Sequence, residues 1–269
     1  MSKKYEDYVL YSDYDGTLTD SLGNVSKENI DGIEYFINNG GIFSLATGRG
    51  IGDIIKFELP INGVIVSSNG SVIIDNKTMT PLLTYYVGND VLKLAKEIYN
   101  THPELGLSVI TDECTKFIRL IDSVYKVNPK VSLNYIQIND LTLIKDKIVS
   151  LCIHGQESDI QEIKKYISVK YSHYKCVDAF PKFLSVVNKL SGKGMAIEHV
   201  KNNYYLNKTI LAVGDGDNDI EMMSKSDISF AMGNGSIKLK EEADFVLKEN
   251  DNPCIPQILK IIDERSKND

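Results

Sequence analysis

The chain has 269 residues, of which 42% are hydrophobic and 25% charged, and its formal net charge is −7. This is ordinary globular composition, and the acidic balance without a long basic run argues against nucleic acid or anionic membrane as a partner. No apolar stretch approaches the ~18 residues of a membrane span, and the N-terminal MSKKYEDYVL lacks the apolar core of a secretory signal. Four scattered cysteines favour free thiols over a disulfide or zinc set, so we expect a cytoplasmic protein.

The stretch YVLYSDYDGTLTD predicts the centre of the molecule. Its apolar run 9–11 reads as a buried parallel strand that ends at Asp13 and Asp15. Gly16 permits a sharp turn directly after them. Ligands of open α/β sheets bind at this end of the strands, although Asp-Tyr-Asp-Gly is also good turn chemistry by itself.

The segments before residue 84 predict a βαβ unit followed by a hairpin. Ser26 is the expected N-cap of a helix that ends at the two glycines 40 and 41. The next expected elements are a strand over 42–46 that runs into Thr47, Gly48 and Arg49, a short helix over 53–57, a strand over 64–66, and a hairpin around 76–77.

The middle third has a different character. It predicts a helix over 90–99, strands over 105–110, 116–121 and 148–154, a helix over 158–167, and an antiparallel pair over 172–177 and 183–187 with its turn at 180–181. The segment 131–144 is ambiguous. An α+β module with a hairpin-rich sheet is therefore expected.

The alternating α/β pattern resumes with a helix from Gly192-Lys193-Gly194, a strand over 210–213, a helix start over 220–223 and a strand over 228–231. Closing helices are expected over 236–243 and 255–265. We predict a Rossmann-like parallel-sheet core formed by residues 1–83 and 185–269, and an inserted α+β domain formed by residues 84–184.

Several predicted strand ends carry polar groups that can do chemistry. The carboxyl ends of neighbouring parallel strands share one edge, so these groups can converge. Carboxylates there suit a hard divalent ion such as Mg²⁺, while a lysine, a hydroxyl and helix N-termini suit a phosphate. The groups at strand ends are Asp13, Asp15, Thr47, Asp215, Asn218 and Asp219, and Lys193 joins them from a helix start.

Each of these residues also has a plainer interpretation. Thr47 could be a helix cap, Lys193 a solvated surface lysine, and the segment 215–219 a turn or a calcium loop, although the EF-hand spacing is absent. Arg49 could bind phosphate or pair with a neighbouring carboxylate, and the carboxylate is favoured.

Taken in order, the motifs DYDGTL, ATGR, GKG and GDGDND resemble those of haloacid dehalogenase-type phosphatases. The large insertion between the second and third motifs resembles the Cof-type (type IIB) branch, whose cap is an α+β module. VSSNGSVIID and the tail AMGNGSIKLKEEADFVLKENDN resemble that branch too. The usual proline-glycine turn before the third motif is missing from SVVNKLSGKG, which puts that local loop in question.

This resemblance implies roles for individual residues. Asp13 would be the nucleophile that forms an aspartyl-phosphate, and Asp15 the general acid and base. Mg²⁺ would be held by the Asp13 carboxylate, the Asp15 backbone carbonyl and Asp215, with Asp219 in support. The transferring phosphoryl group would be bound by Thr47, Gly48, Lys193 and Asn218.

The expected function is therefore Mg²⁺-dependent hydrolysis of a small phosphomonoester, with sugar phosphates or related metabolites leading by resemblance. Phosphoryl transfer to a second metabolite and a phospho-ligand sensor are the competing hypotheses. Cap residues are expected to choose the substrate, with Lys116, Arg119 and Lys182 as candidates. The sequence does not indicate an oligomeric state.

Overall fold

The computed structural model describes residues 3–121, 135–138, 140–180 and 182–266. Its strands, numbered along the chain, are β1 (Tyr8–Ser12), β2 (Ile42–Leu45), β3 (Ile65–Ser67), β4 (Val72–Ile74), β5 (Pro81–Thr84), β6 (Gly106–Thr111), β7 (Thr115–Arg119), β8 (Tyr135–Gln137), β9 (Ile148–His154), β10 (Tyr174–Phe180), β11 (Phe183–Asn188), β12 (Thr209–Gly214), β13 (Ile228–Ala231) and β14 (Phe245–Val246).

The α-helices of the described residues are numbered in the same way. They are α1 (Lys27–Asn38), α2 (Ile51–Ile54), α3 (Val91–Thr101), α4 (Glu157–Lys170), α5 (Lys193–Tyr204), α6 (Ile220–Lys225), α7 (Ile237–Glu242) and α8 (Cys254–Arg265).

A parallel sheet of five strands forms the core, in the order β14-β13-β12-β1-β2. A parallel bridge between Ala46 and Val66 continues the sheet towards β3, which pairs antiparallel with β4 and then β5. β1 lies inside the sheet, between β12 and β2, so Asp13 at its end has a neighbouring strand end on each side.

Helices cover both faces of the core sheet. On one face α1 and α8 bury Ile33, Phe36 and Ile258 against Leu10 and other strand residues. On the opposite face α5 buries Ala196, Ile197 and Val200 against Val9 and Tyr11. Burial of apolar area on both faces is the main stabilising term of such a three-layer arrangement, and it explains why the core strands are apolar runs.

A second sheet of six strands lies in the middle of the chain, in the order β10-β11-β9-β6-β7-β8. Its pairs are antiparallel except β7 with β8. Helices α3 and α4 pack on one face of it, where Leu94, Ile98, Ile160 and Ile163 are buried. We call this sheet and its two helices the cap. Its strand β11 ends at Asn188, past the residue 184 that the sequence suggested as a boundary.

The chain crosses between core and cap at two places that lie side by side. Asn188 donates its side-chain amide to the carbonyl of Tyr86 at 2.8 Å, which ties the outgoing and returning crossings together. On either side of Tyr86, the Tyr85 N–H donates to Ser71 in the core and the Val87 N–H to Ile148 in the cap.

The local chemistry of several elements agrees with the sequence. Ser26 accepts the N–H of Asn29 and begins α1, as its position predicts. The short edge strand β14 was not predicted, since two residues give no periodicity to detect. The ambiguous segment contains β8 and a 3₁₀ turn, Leu141–Leu143. Its residues 131–134 and 139, and Pro181 of the predicted turn, lie outside the described residues.

The four cysteines are free thiols. Among the described residues, no helix combines the length and the apolar character needed to cross a membrane.

Candidate active site

Asp13 follows β1 directly and faces the site from the centre of the core sheet. Its N–H still donates to the carbonyl of Val213 at 2.9 Å, so the residue keeps the register of the sheet. Its Oδ1 accepts the N–H of Tyr14 at 2.7 Å and lies 3.0 Å from Nζ of Lys193. The residue is only 7% exposed, so its carboxylate is oriented by fixed donors rather than by solvent.

The turn after Asp13 brings its loop against Asp215. Gly16 has a φ of +75°, and a Cβ at this position would lie 2.4 Å from Oδ2 of Asp215. Thr17 donates its hydroxyl to Oδ1 of Asp215 at 2.9 Å. The glycine in DYDGTL is therefore required both by the backbone and by the approach of the second carboxylate.

Lys193 is the first residue of α5, and its side chain has no exposed area. Its Nζ lies 2.6 Å from Oδ1 of Asp219, in addition to the contact with Asp13. The other oxygen of Asp219, Oδ2, accepts the N–H groups of Asp215 and Gly216 at 3.1 and 3.0 Å. Both oxygens of Asp219 are thus occupied, and this residue holds Lys193 and the loop in place.

Burial dominates the electrostatics of these carboxylates. Burial raises the pKa of Asp13 well above its usual value, with Lys193 acting in the opposite direction. Burial, reinforced by Asp219, raises the pKa of Asp215 to about 7. For Lys193 burial alone would lower the pKa, but Asp13 and Asp219 outweigh it and raise the pKa, so the side chain is an ammonium.

The carboxylates of Asp13, Asp215 and Asp219 offer oxygens that lie within 4.8 Å of one another. Among the described residues, Oδ2 of Asp13 and Oδ2 of Asp215 receive no hydrogen bond, whereas both oxygens of Asp219 already accept hydrogen bonds. Two free hard oxygens on neighbouring strand ends fit a divalent cation with oxygen preference, such as Mg²⁺, which takes few carboxylates and completes its shell with water and phosphate.

Asp15 follows Asp13 by two residues and pairs with Arg49. Its two oxygens accept Nε and Nη2 of Arg49, each at 2.8 Å, in a two-pronged ion pair. Asp15 raises the pKa of Arg49 against the lowering effect of burial. Arg49 is thus the partner of a carboxylate, as favoured from the sequence.

Thr47 and Gly48 form the loop after β2 and lie beside Asn69. Thr47 is fully buried, and its Oγ1 accepts the N–H of Arg49 at 3.1 Å. A Cβ on Gly48 would lie 3.2 Å from Oδ1 of Asn69, so the loop and the asparagine are in close contact. Asn218 donates its side-chain amide to the same Oδ1 at 3.2 Å. The second and fourth motifs are thereby connected through a residue outside both.

Asn69 is a site residue that the motif analysis did not assign. It has a φ of +54°, a left-handed conformation in which asparagine is among the best tolerated residues, and Ser68 before it has a φ of +50°. The available signal was Asn-Gly in VSSNGS directly after a predicted strand, which marks a strained turn at the functional edge of the sheet.

A cleft of about 410 Å³ opens between the cap strand β10 and the core. Its lining includes Lys193 and Asn218 from the core and Lys175 from the cap. Lys175 donates to Glu221 at 2.9 Å and to the carbonyl of Ser191 at 3.0 Å, directly above the turn that precedes Lys193. The cap therefore contacts the core beside the candidate active site.

Two of the cap residues suggested as substrate contacts have partners within the cap. Lys116 forms an ion pair with Asp146. Arg119 donates to the backbone carbonyls of His102 and Leu105, and its guanidinium stacks over Tyr99. Both side chains therefore connect elements of the cap to one another, and their contact with a substrate stays a prediction. Lys182 is exposed.

Comparisons with known proteins identify the family of this chain. A model of the haloacid dehalogenase-like hydrolase family matches residues 10–259. A 5-amino-6-(5-phospho-D-ribitylamino)uracil phosphatase of Bacillus subtilis is 25% identical, over 94% of this chain and 96% of its own. A phosphoglycolate phosphatase of Thermoplasma volcanium is 27% identical, over 87% of this chain and 88% of its own.

Among solved structures, a HAD/COF-like hydrolase of Plasmodium vivax has a TM-score of 0.83 to this chain at 22% identity, and the match covers 97% of this chain and 96% of that one. The predicted α/β fold with an inserted α+β cap is thus confirmed. The chain belongs to the haloacid dehalogenase-like hydrolases, the family that its four motifs predicted.

Proposed function

We propose that this hydrolase removes phosphate from a small phosphomonoester, with Mg²⁺ at the edge of the core sheet. The observation that carries the proposal is the convergence of Asp13, Lys193 and Asp215. Each aspartate has one carboxylate oxygen that accepts no hydrogen bond from the described residues, and the buried ammonium of Lys193 lies beside Asp13. An oxygen nucleophile, a cation site and a fixed positive charge at one place are what displacement at phosphorus needs.

Asp13 is the proposed nucleophile. Its free Oδ2 attacks phosphorus, the bond to the leaving oxygen breaks, and an aspartyl-phosphate forms. Asp15 then serves as acid and base: it protonates the leaving alkoxide and later takes a proton from the water that cleaves the intermediate. Arg49 donates to both oxygens of Asp15 and so fixes the orientation of this carboxylate.

The proposed Mg²⁺ ligands are the carboxylates of Asp13 and Asp215 and the backbone carbonyl of Asp15, with Asp219 in support. When bound, the ion supplies positive charge that reduces the repulsion between the aspartate and the phosphate dianion. Asp219 contributes by fixing Lys193 and the N–H groups of the loop over 215–216.

The proposed phosphate contacts are the Thr47 hydroxyl, the Gly48 backbone, Lys193 and Asn218. Lys193 lies at the N-terminus of α5, where unpaired N–H groups add to its charge. Asn218 is oriented by the hydrogen bond that its side-chain amide donates to Asn69. A buried ammonium that needs no reorganisation during the reaction is a strong stabiliser of developing charge.

The cap closes over this site in the proposal and excludes water. We propose the core and cap that the sequence suggested, with the cap over 84–184, except that its second boundary moves to Asn188 because β11 continues to that residue. The phosphatase names of the two relatives support the reaction class. The four free thiols support a reducing compartment, so the cytoplasm remains the proposed location.

Asp13→Asn tests the nucleophile. The amide keeps Oδ1 as an acceptor for Tyr14 but cannot attack phosphorus, so hydrolysis of p-nitrophenyl phosphate with Mg²⁺ should vanish while the fold is kept. Asp31→Asn, an exposed change on α1, is the matched control and should retain turnover. Full activity of Asp13→Asn would reject the assignment, and phosphate binding by a wild-type protein that turns over no phosphomonoester would favour the sensor hypothesis.

A further inference from the structure

The turn that leads into Lys193 has few residues that restrict its backbone. We call it the 188–192 turn, and its sequence Asn-Lys-Leu-Ser-Gly contains no proline ring to lock a dihedral angle. Gly192 and Gly194 stand on either side of Lys193, and glycine restricts the backbone least of all residues. Helix α5 begins at Lys193 without a side-chain hydrogen bond at its N-cap. Contacts from other segments therefore have to hold this turn, and with it the lysine.

The core holds one side of the 188–192 turn. Ser71 donates its hydroxyl to the hydroxyl of Ser191 at 3.0 Å, and both residues are fully buried. A Cβ on Gly70 would lie 2.1 Å from the carbonyl oxygen of Gly192, so the loop after β3 touches the backbone of the turn. The turn is thereby packed onto the core segment that also contains Asn69.

The cap holds the other side of the turn through Lys175 of β10. Its Nζ donates to the carbonyl of Ser191 at 3.0 Å and to Oε2 of Glu221 on α6 at 2.9 Å. A Cβ on Gly192 would lie 2.6 Å from this Nζ and 2.2 Å from Oε2 of Glu221, so the ion pair lies directly against the backbone of the turn. A side chain of the cap thus reaches a carbonyl only two residues before Lys193.

This ion pair is better suited to fixing geometry than to stabilising the fold. The side chains of Lys175 and Glu221 are 32% and 36% exposed, and ion pairs near the surface contribute little to the free energy of unfolding. Glu221 orients the lysine, which then donates a charge-assisted hydrogen bond to the turn. Because misplacing a group by about 1 Å can lower a rate about a hundredfold, a contact of small energy can still matter for turnover.

We propose that Lys175 is a positioning residue of the reaction: through the carbonyl of Ser191 it fixes the 188–192 turn, and thereby the ammonium of Lys193. The inference rests on the proposed phosphomonoester hydrolysis, in which Lys193 binds the phosphoryl group. Since Lys175 belongs to the cap and Lys193 to the core, the ammonium is fully fixed only while the cap is seated on the core. Lys175 also lines the cleft, so direct binding of an anionic substrate is the competing role.

Hydrogen exchange followed by mass spectrometry tests the hydrogen bond to the turn on the full chain, without any substrate. The N–H groups of Ser191 and Ala196 close the turn and the first turn of α5, so exchange over 188–196 reports on this segment. Lys175→Met should raise its exchange rate about tenfold, the effect of one lost charge-assisted hydrogen bond. Lys201→Met is the matched control, because it removes an ion pair of similar exposure, 35% and 39%, from the same helix α5, and it should keep the wild-type rate.

Phosphate release with Mg²⁺ tests the consequence for turnover on p-nitrophenyl phosphate and 4-carboxyphenyl phosphate, of which only the second carries a carboxylate. Lys175→Met should lower kcat about tenfold on both compounds alike, because the position of Lys193 matters for every substrate. Ser71→Ala removes the contact from the core side and should lower kcat on both compounds by about threefold to tenfold. Lys201→Met should keep kcat, and its midpoint of urea unfolding should equal that of Lys175→Met.

The outcomes separate the positioning role from its competitors. Exchange over 188–196 in Lys175→Met at the rate of Lys201→Met would overturn the role, and so would faster exchange with unchanged turnover. A loss confined to 4-carboxyphenyl phosphate would also overturn it, because Lys175 would then be a substrate contact. No phosphate release from either compound by the wild type would overturn the proposed function and the positioning role with it, while the exchange result would still report on the turn alone.

Discussion

Replacing Lys193 with methionine removes the ammonium that lies between Asp13 and Asp219 and keeps an unbranched side chain to fill its place. In the wild type Nζ lies 3.0 Å from Asp13 and 2.6 Å from Asp219, with no exposed area on the lysine side chain. The variant leaves two buried carboxylates without their shared cation. Breaking a buried pair in this way costs about 3–5 kcal/mol of unfolding free energy.

The pH dependence of this loss has a definite sign. Without Lys193 the facing carboxylates raise each other's proton affinity, so the folded variant holds a proton that the unfolded chain releases above about pH 4. A group with a raised folded-state pKa contributes stability at low pH that is lost as the pH rises. The deficit relative to wild type should therefore be smaller at about pH 5 than at about pH 8.

Urea unfolding followed by circular dichroism measures both quantities. Lys201→Met is the matched control, because Lys201 lies on the same helix and pairs with Asp227 in a half-exposed ion pair, so it should cost under about 1 kcal/mol. Turnover of p-nitrophenyl phosphate by Lys193→Met should fall about a hundredfold or more. An unfolding midpoint equal to that of the control, or a deficit that grows towards acid, would refute the reasoning.

Two further predictions concern the cation and Asp15. Mg²⁺ binding needs Asp215 ionised, and since the pKa of Asp215 is about 7, the rise in thermal midpoint with Mg²⁺ should be larger at about pH 8 than at about pH 6. At a hundredfold excess of Mg²⁺ over Kd, the gain in unfolding free energy is about 2.7 kcal/mol. Asp215→Asn should abolish this gain, and the exposed neighbour Asp217→Asn should keep it. An equal gain in all three proteins would place the cation elsewhere. Arg49→Lys keeps the charge but loses the two-pronged grip on Asp15, so turnover should fall about ten- to a hundredfold while the surface control Arg265→Lys stays at wild type. Unchanged turnover of Arg49→Lys in a phosphate release assay would show that this grip does not position Asp15.

The core and its catalytic edge were readable from the sequence because they depend on local signals. Apolar runs that end at Asp13, Thr47 and Asp215, each followed by a turn, specify strand ends, and parallel strands bring such ends to one edge. The N-cap at Ser26 and the glycine at position 16 were equally local features. These inferences from local sequence need no knowledge of which side chains pack across the sheet.

Contacts between distant segments were not readable in this way. The connection from Asn218 through Asn69 to Ser185 joins three segments with no shared pattern, and a serine in a strand looks the same whether it faces solvent, helix or ligand. Lys116 and Arg119 were suggested because cations suit anionic substrates. Their true partners, Asp146 and backbone carbonyls, became visible only in the folded cap.

The bond from Asn188 to the carbonyl of Tyr86 makes the two crossings behave as one double-stranded hinge. A single connection would let the cap rotate freely about it, whereas two connections tied together permit a hinge motion and resist twisting. In the proposed closure, the cap would return to the same register above Asn69, so the alignment of cap and core would be set at this hinge, away from the reacting atoms.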